Sequence, residues 1–286
     1  MMGFASVRGR RFLNLADPGM PRSSLSRFTL DLSSHLAPRR WPRAVLRVLL
    51  PSVCALCGGG CDDVVCPDCT AAYARLAGVR CGQCGNPIAS HPGMDDVAEA
   101  VDDVCPCGAC LAHPPAYDAT VAAVDYAIPL DQLVLQLKFG ARLALAPWCA
   151  RRIRDAVLAR PGLPLPDLLC PVPLGPARLA GRGFNQALEI ARPLAAALGV
   201  ACHPALAQRT TETPAQSGVA PDARARNVRG AFAVADPDRV AGRHVGLVDD
   251  VMTSGHTLGE LAAVCKRFGA ARVTNFVFAR TPPNRR

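Results

Sequence analysis

The sequence predicts an α/β chain, with a parallel sheet covered by helices in its C-terminal part and a small cysteine-rich module before it. Strand-like and helix-like apolar patterns alternate from about residue 118 onward. Four C-x-x-C pairs lie between Cys54 and Cys110, and Pro114–Pro115 mark a break between the two regions. Alternating β and α segments favour parallel strands, because each crossover helix then covers the sheet it connects. The 286 residues leave room for two modest domains. Half of them are apolar but only 5% are aromatic, so the core is expected to be rich in Ala, Leu and Val.

Residues 1–40 are rich in Arg and Ser and lack apolar periodicity. A disordered extension, an organelle transit peptide and a start codon placed too early, with Met20 as the later start, all fit that composition. Residues 41–50 read as a short amphipathic helix packing on the cysteine module, with a membrane-surface role as the alternative. The module is assigned to residues 41–112 and the α/β domain to 113–286. In the latter, Thr120–Ala127 reads as a strand, and Leu130, Leu133, Val134 and Leu137 recur at helical spacing. A further helix follows at 144–159, then a short apolar strand over Leu168–Val172. Phe184, Leu188, Ala191, Ala195 and Leu198 lie on one helix face, stopped by Gly199. Val245–Val248 is a buried strand. Leu258, Leu261, Ala262, Cys265 and Phe268 form the next helical face, with Gly269 as its C-terminal stop, and Val273–Phe278 is the last strand.

The paired cysteines are Cys54/Cys57, Cys66/Cys69, Cys81/Cys84 and Cys107/Cys110. Such spacing in a reducing compartment points to metal binding. A structural zinc takes four ligands in a closed tetrahedron, so four pairs fit two zinc sites of four cysteines each. Sequential pairing is the simplest arrangement. Interleaved pairing, or entry of Cys61 or Cys105 in place of a partner, remains open. Gly58, Gly85 and Gly108 are placed to form tight knuckles in which backbone N–H groups bond the thiolates. A dithiol redox motif would show one C-x-x-C in a βαβ setting and is disfavoured. Cys149, Cys170, Cys202 and Cys265 sit in apolar patterns and read as core residues.

Charge divides the chain. Residues 1–50 hold nine Arg and two Asp; residues 51–112 hold two Arg and eight acids; residues 113–286 hold 21 basic and 13 acidic residues. Eight thiolates on two Zn2+ would make the cysteine module more negative still. Duplex affinity comes mainly from neutralising phosphates, so this module is expected to be structural or to contact protein. Nucleic-acid contact would fall to the basic C-terminal domain or the tail. Only Lys138 and Lys266 are lysines among 32 basic residues, a bias that fits a GC-rich genome. With no apolar run of spanning length and no secretory-type apolar core at the N-terminus, a cytoplasmic protein without a membrane span is expected.

The segment richest in chemistry is Asp249-Asp250-Val251-Met252-Thr253-Ser254-Gly255-His256-Thr257. A buried strand leads to two carboxylates, a loop of small and hydroxyl residues follows, and a helix begins. Ligands of open α/β sheets bind at the carboxyl ends of strands. A helix N-terminus offers N–H donors to a phosphate, Gly255 permits close approach, and Thr253, Ser254 and Thr257 add hydroxyls. The adjacent acids suit sugar hydroxyls beside that phosphate. Because like charges repel, replacing both by Asn is expected to spare folding.

This segment resembles the motif of type I phosphoribosyltransferases that binds phosphoribosyl pyrophosphate (PRPP). The resemblance implies that Asp249 and Asp250 meet the ribose 2′- and 3′-hydroxyls while Val251–Thr257 cradle the 5′-phosphate. Cys170-Pro171-Val172-Pro173-Leu174-Gly175 looks like the pyrophosphate loop of such enzymes, with Pro173, Leu174, Arg178 and Arg182 as ligand-binding candidates. The polar stretch 209–229, with Gln216, Arg224, Asn227 and Arg229, corresponds to the hood over the site.

Taken with Arg182-Gly183-Phe184-Asn185-Gln186, Leu137-Lys138-Phe139-Gly140 and the cysteine pairs, residues 50–281 resemble the ComF family. Its members place a cysteine-rich double zinc ribbon before a type I phosphoribosyltransferase-like domain and are associated with DNA uptake in natural competence. The resemblance implies PRPP with Mg2+ as ligand, and single-stranded DNA or DNA-processing proteins as partners. Displacement at the ribose C1 is one reading of its activity; a non-catalytic PRPP sensor or nucleic-acid-binding accessory protein is the alternative. Ser254 stands where Thr is commoner, which keeps the hydroxyl. Residues 86–104 read as an acidic insertion, and residues 1–40 fall outside the pattern.

Overall fold

The computed structural model describes residues 52–76, 78–88, 105–210 and 230–282. The expectations for residues 1–50, for most of the acidic insertion and for Gln216, Arg224, Asn227 and Arg229 lie outside the described residues. The described residues belong to one compact unit that includes both cysteine regions and the sheet.

Two short helices belong to the cysteine module: α1 (Pro67–Tyr73) and α2 (Gly108–Ala112). The α/β region then runs β1 (Ala119–Asp125), α3 (Leu130–Phe139), α4 (Leu145–Leu158), β2 (Leu168–Pro171), α5 (Pro176–Arg182) and α6 (Gln186–Leu198). It continues through β3 (Ala201–Cys202), β4 (Ala207–Arg209), β5 (Phe232–Val234), β6 (His244–Met252), α7 (His256–Arg267) and β7 (Arg272–Arg280). Five strands form one sheet in the order β1-β7-β6-β2-β3, all parallel. The expected parallel sheet is therefore present, and its central strands β6 and β7 are buried on both faces, as crossover helices require.

One face carries α3, α4 and α6. Leu133, Leu137, Trp148, Ile153, Ile190 and Leu194 pack there with Phe276 and Phe278 in a single cluster. The Trp148 and Phe278 rings meet edge to face, 5.6 Å between centroids. The other face is covered by α7, whose Leu258, Leu261, Ala262 and Cys265 pack on Val245, Leu247 and Val277. Leu130, Leu133, Val134 and Leu137 of α3 are all buried, as their spacing predicts.

Three details differ from the expectations. The β6 strand continues past Val248 through both aspartates, because β7 pairs with it as far as Met252↔Arg280. Phe184 precedes α6 rather than lying in it. Asn185 caps the helix by accepting from the Ala187 N–H at 3.0 Å, and the buried face is shifted to Ile190 and Leu194. Phe268 is a half-exposed C-cap beyond the buried face of α7, while Gly269 takes the positive φ of +84° expected of a helix stop. An antiparallel pair, β4 with β5, went unread because each strand has three residues.

Candidate functional site

The C-terminal ends of β6 and β2 and the start of α7 converge at one edge of the sheet. Met252 turns its side chain into the core, and Thr253 and Ser254 are exposed. Gly255 adopts φ +81° as the N-cap residue of α7, and no side chain caps the first-turn amides. Ser254 Oγ instead lies 3.1 Å from His256 Nδ1. A Cβ at position 255 would sit 2.7 Å from the Met252 Cε and 3.0 Å from the Tyr117 hydroxyl, so a side chain there would add crowding to the strain of the positive φ. The helix thus begins with amide donors left to the loop, an arrangement suited to an anion.

Asp250 is 2% exposed. Its Oδ2 pairs with Lys138 Nζ at 2.7 Å, and its Oδ1 accepts from Gln186 Nε2 at 3.3 Å. Gln186 Oε1 in turn accepts from Arg182 Nη1, and the Arg182 guanidinium lies over the Phe139 ring, 5.4 Å from its centroid. Lys138-Phe139, Arg182 with Gln186, and Asp250 come from three separate stretches of the chain and form one network here. Asp249 is half-buried, and its Oδ1 accepts from the Asp250 N–H at 2.9 Å. Burial, and then the neighbouring Asp250 charge, hold the Asp249 carboxyl well above the usual carboxylate range, while Lys138 pulls the other way. Burial also lowers the Arg182 pKa, with Asp250 opposing and the Arg178 charge adding to the fall. The expectation that replacing both acids spares folding leaves out the cationic partner of Asp250: Lys138 is half-buried and would lose its counter-charge to Asn, which is expected to cost stability.

The second loop is held by short bonds. Val172 N donates to the Val248 carbonyl at 2.9 Å, and Asn185 Nδ2 donates to the Val172 carbonyl at 3.0 Å. Pro173 and Leu174 are half-buried beyond it, and Arg178 precedes Arg182 by one turn on α5. Gln186 and Tyr117 carry no local signal that marks them as site residues, and a scarcity of lysine does not point to where the two lysines act. One of only two lysines is the ion-pair partner of Asp250.

Two cysteine tetrads form in sequential order: Cys54, Cys57, Cys66, Cys69 and Cys81, Cys84, Cys107, Cys110. Within each, the sulfurs lie within 4.8 Å of one another. Zn–S bonds of about 2.3 Å in a tetrahedron set sulfurs roughly 3.8 Å apart. The separations of 3.9 Å for Cys57–Cys66, 3.8 Å for Cys81–Cys110 and 3.7 Å for Cys84–Cys107 fit that geometry. Backbone amides also point at the sulfurs. Cys66 N lies 3.3 Å from Cys54 Sγ, and Cys107 N lies 3.2 Å from Cys81 Sγ. Both sites can hold zinc. Gly58 and Gly85 take positive φ in their knuckles, whereas Gly108 opens α2 and serves no such turn. Cys61 bonds the Asp63 carbonyl, outside either tetrad. Cys149, Cys170 and Cys265 are buried as expected, and Cys202 is half-exposed.

No family model matches the chain. It is 38% identical over 220 residues to the DNA utilization protein YhgH of Escherichia coli (strain K12), covering 76% of this chain and 90% of that protein. It is 30% identical over 205 residues to Competence protein F of Haemophilus influenzae, covering 70% of this chain and 84% of that one. The chain belongs to the ComF family. Among solved structures, the B. subtilis glutamine PRPP amidotransferase complexed with ADP and GMP aligns with 48% of this ComF-family chain and 26% of its own, at 19% identity and TM-score 0.30. The purine phosphoribosyltransferase from Pyrococcus horikoshii Ot3 covers 46% and 66% at 15% identity and TM-score 0.25. At that extent of overlap the ComF-family fold is read from its own strand order. Among the described residues, no helix is long and apolar enough to cross a membrane.

Proposed function

We propose that this protein binds PRPP at the β6–α7 loop and acts in DNA uptake or utilization, as the names of its relatives suggest for them. The observation that carries the reading is the polar chain Lys138–Asp250–Gln186–Arg182 beside an uncapped helix start with glycine at φ +81°. Asp249 would accept from the ribose hydroxyls, with Asp250 behind it held by Lys138 and Gln186; groups of Thr253 to Thr257 would donate to the 5′-phosphate, and Arg178 and Arg182 to the pyrophosphate. Among the described residues the metal-ligand clusters are the two cysteine tetrads, so Mg2+ would arrive on the pyrophosphate rather than in a protein cage. Bound there, Mg2+ would neutralise a leaving pyrophosphate. The ionised Asp249 carboxylate beside the sugar would favour the positive charge that develops on the ribose if transfer occurs.

Zinc in both tetrads is proposed as structural, with residues 41–112 as a ribbon module and 113–286 as the ligand-binding domain. Calorimetric titration of the full chain with PRPP and Mg2+ tests the site. Affinity is expected to rise with pH through the raised Asp249 pKa and then level off, because the ionised carboxylate accepts the sugar hydroxyl. Asp249→Asn is expected to weaken binding roughly tenfold or more and to remove that pH dependence. Unchanged affinity in Asp249→Asn would sink the assignment of this loop. Pyrophosphate release in the presence of bases or nucleic acids separates a transferase from a binder.

A further inference from the structure

We infer that Arg280 makes the second cysteine tetrad a working part of the β6–α7 loop, so that zinc held by Cys81, Cys84, Cys107 and Cys110 governs the loop's conformation and its affinity for a phosphoribosyl ligand. The affinity clause rests on the reading of the loop given above; the conformational clause does not.

Arg280 ends β7 and is 4% exposed. Its Nε donates to the Cys84 carbonyl at 2.8 Å. Its Nη1 donates to the Met252 carbonyl at 3.0 Å, to the Thr281 carbonyl at 2.7 Å and to the Thr253 carbonyl. One planar fork therefore holds a zinc-ligand residue on one side and the last residue of β6 and the first of the loop on the other. No carboxylate pairs with it among the described residues. A guanidinium buried among carbonyls needs each of those dipoles aimed at it, so movement of the Cys84 carbonyl is felt at Met252 and Thr253. A zinc site with four thiolates also carries net negative charge, which complements the buried cation next to it.

The knuckle around Cys84 is attached to the sheet residue by residue. The Gly82 carbonyl accepts from Thr120 N at 3.0 Å, and the Gln83 carbonyl accepts from Thr120 Oγ1 at 2.7 Å. Gln83 Nε2 donates to the Tyr117 carbonyl at 3.3 Å, and the Tyr117 hydroxyl lies beneath Gly255. Arg80, which pairs with Asp125 at 2.8 Å, donates to the Gly85 carbonyl at 3.2 Å. Four consecutive carbonyls are thus engaged, and two routes, Arg280 and Tyr117, lead from the knuckle to the loop. Among the described residues the first tetrad shows no such path. Its polar links run from Ala55 and Val53 to Gln136 of α3 and to Arg142 just after it, and from Asp63 to Arg151 of α4.

Backbone hydrogen exchange at Gly259, whose N–H donates to the Gly255 carbonyl at 2.8 Å, and at Thr281, whose N–H donates to the Met252 carbonyl at 3.0 Å, tests the coupling in the full chain without any ligand. Cys107→Ser, which removes the second zinc, and Arg280→Lys, which keeps the charge but cannot fork onto both carbonyl sets, are each expected to speed exchange there by about tenfold. Arg280→Lys should retain two zincs per chain. Cys57→Ser should lose the first zinc and leave loop exchange at the wild-type rate. PRPP affinity should fall with loop protection in the first two variants. Loop exchange at the wild-type rate in Arg280→Lys, or equally raised in Cys57→Ser, would overturn the inference. Should Cys107→Ser fail to fold, Arg280→Lys carries the test alone. If the exchange pattern holds while wild type does not bind PRPP, the coupling stands and the phosphoribosyl reading falls.

Discussion

The two cysteine tetrads share their C-x-x-C spacing but are joined to the rest of the molecule by different forces. In the first, Cys54, Cys69 and Val65 belong to the same buried cluster as Leu133, Trp148 and Phe278, so the knuckle is part of the sheet's apolar packing. The second forms a small cluster of its own with Ile88, and its attachment to β1 and β7 is through hydrogen bonds from Thr120 and Arg280. Apolar burial is strong and non-directional, whereas hydrogen bonds are weaker but fix angles. The first tetrad should therefore set stability, and the second should set geometry at the loop.

The sharpest way to break that contrast is to remove one ligand from each. Cys69→Ser is expected to cost about 4 kcal/mol or more, since both metal binding and the buried cluster that Cys69 shares with Leu133 and Trp148 are disturbed. Cys107→Ser should cost about half as much in the same denaturant titration, with one zinc retained in each variant. Equal losses would show that burial does not distinguish the two sites.

The next test compares the two aspartates at the loop. Asp250→Asn strands Lys138 and should lower stability by about 1–3 kcal/mol. Asp249→Asn should leave stability level or improve it, because a carboxyl whose pKa is raised in the fold destabilises that fold when ionised. Thermal melts near neutral pH separate the two, and a reversed order would contradict the ion pair as described.

Glycines offer a finer comparison. Gly255 and Gly58 both take positive φ, +81° and +74°, but an added Cβ meets Met252 and Tyr117 only at Gly255. Gly58→Ala should cost about 1 kcal/mol, the strain of the backbone alone. Gly255→Ala should cost roughly 2 kcal/mol and weaken PRPP binding as well. Equal costs would mean the contact beneath the loop yields freely.

The smallest expected effect lies at the opposite end of β6. His244 is buried, with Nε2 2.8 Å from Thr274 Oγ1 and Nδ1 3.0 Å from the Leu165 carbonyl. Burial, above all, lowers its pKa below the ordinary value of 6.5. The neutral ring is therefore favoured in the fold, and stability should decline as pH falls through about 6.5 toward the lower folded value. His244→Gln should flatten that part of the pH profile without altering either zinc site.

The residue pattern alone carried the class of this protein. The β–α alternation, the buried face Leu130-Leu133-Val134-Leu137, the Gly269 stop and the sequential cysteine pairs were all legible, because each depends on neighbours within a turn, a strand or a knuckle. The acidic pair and its loop were legible as a motif for the same reason. Strand ends were less so: β6 runs on through Asp249 and Asp250 because β7 pairs with it that far, and pairing is a property of two segments. What tertiary structure alone decided was the partnership of distant charges. Lys138 meets Asp250, Gln186 joins it to Arg182, and Arg280 ties Cys84 to Met252 across the end of the sheet. Such bonds depend on angles and distances between elements far apart in the chain, which no local periodicity records, and burial is what makes each of them consequential.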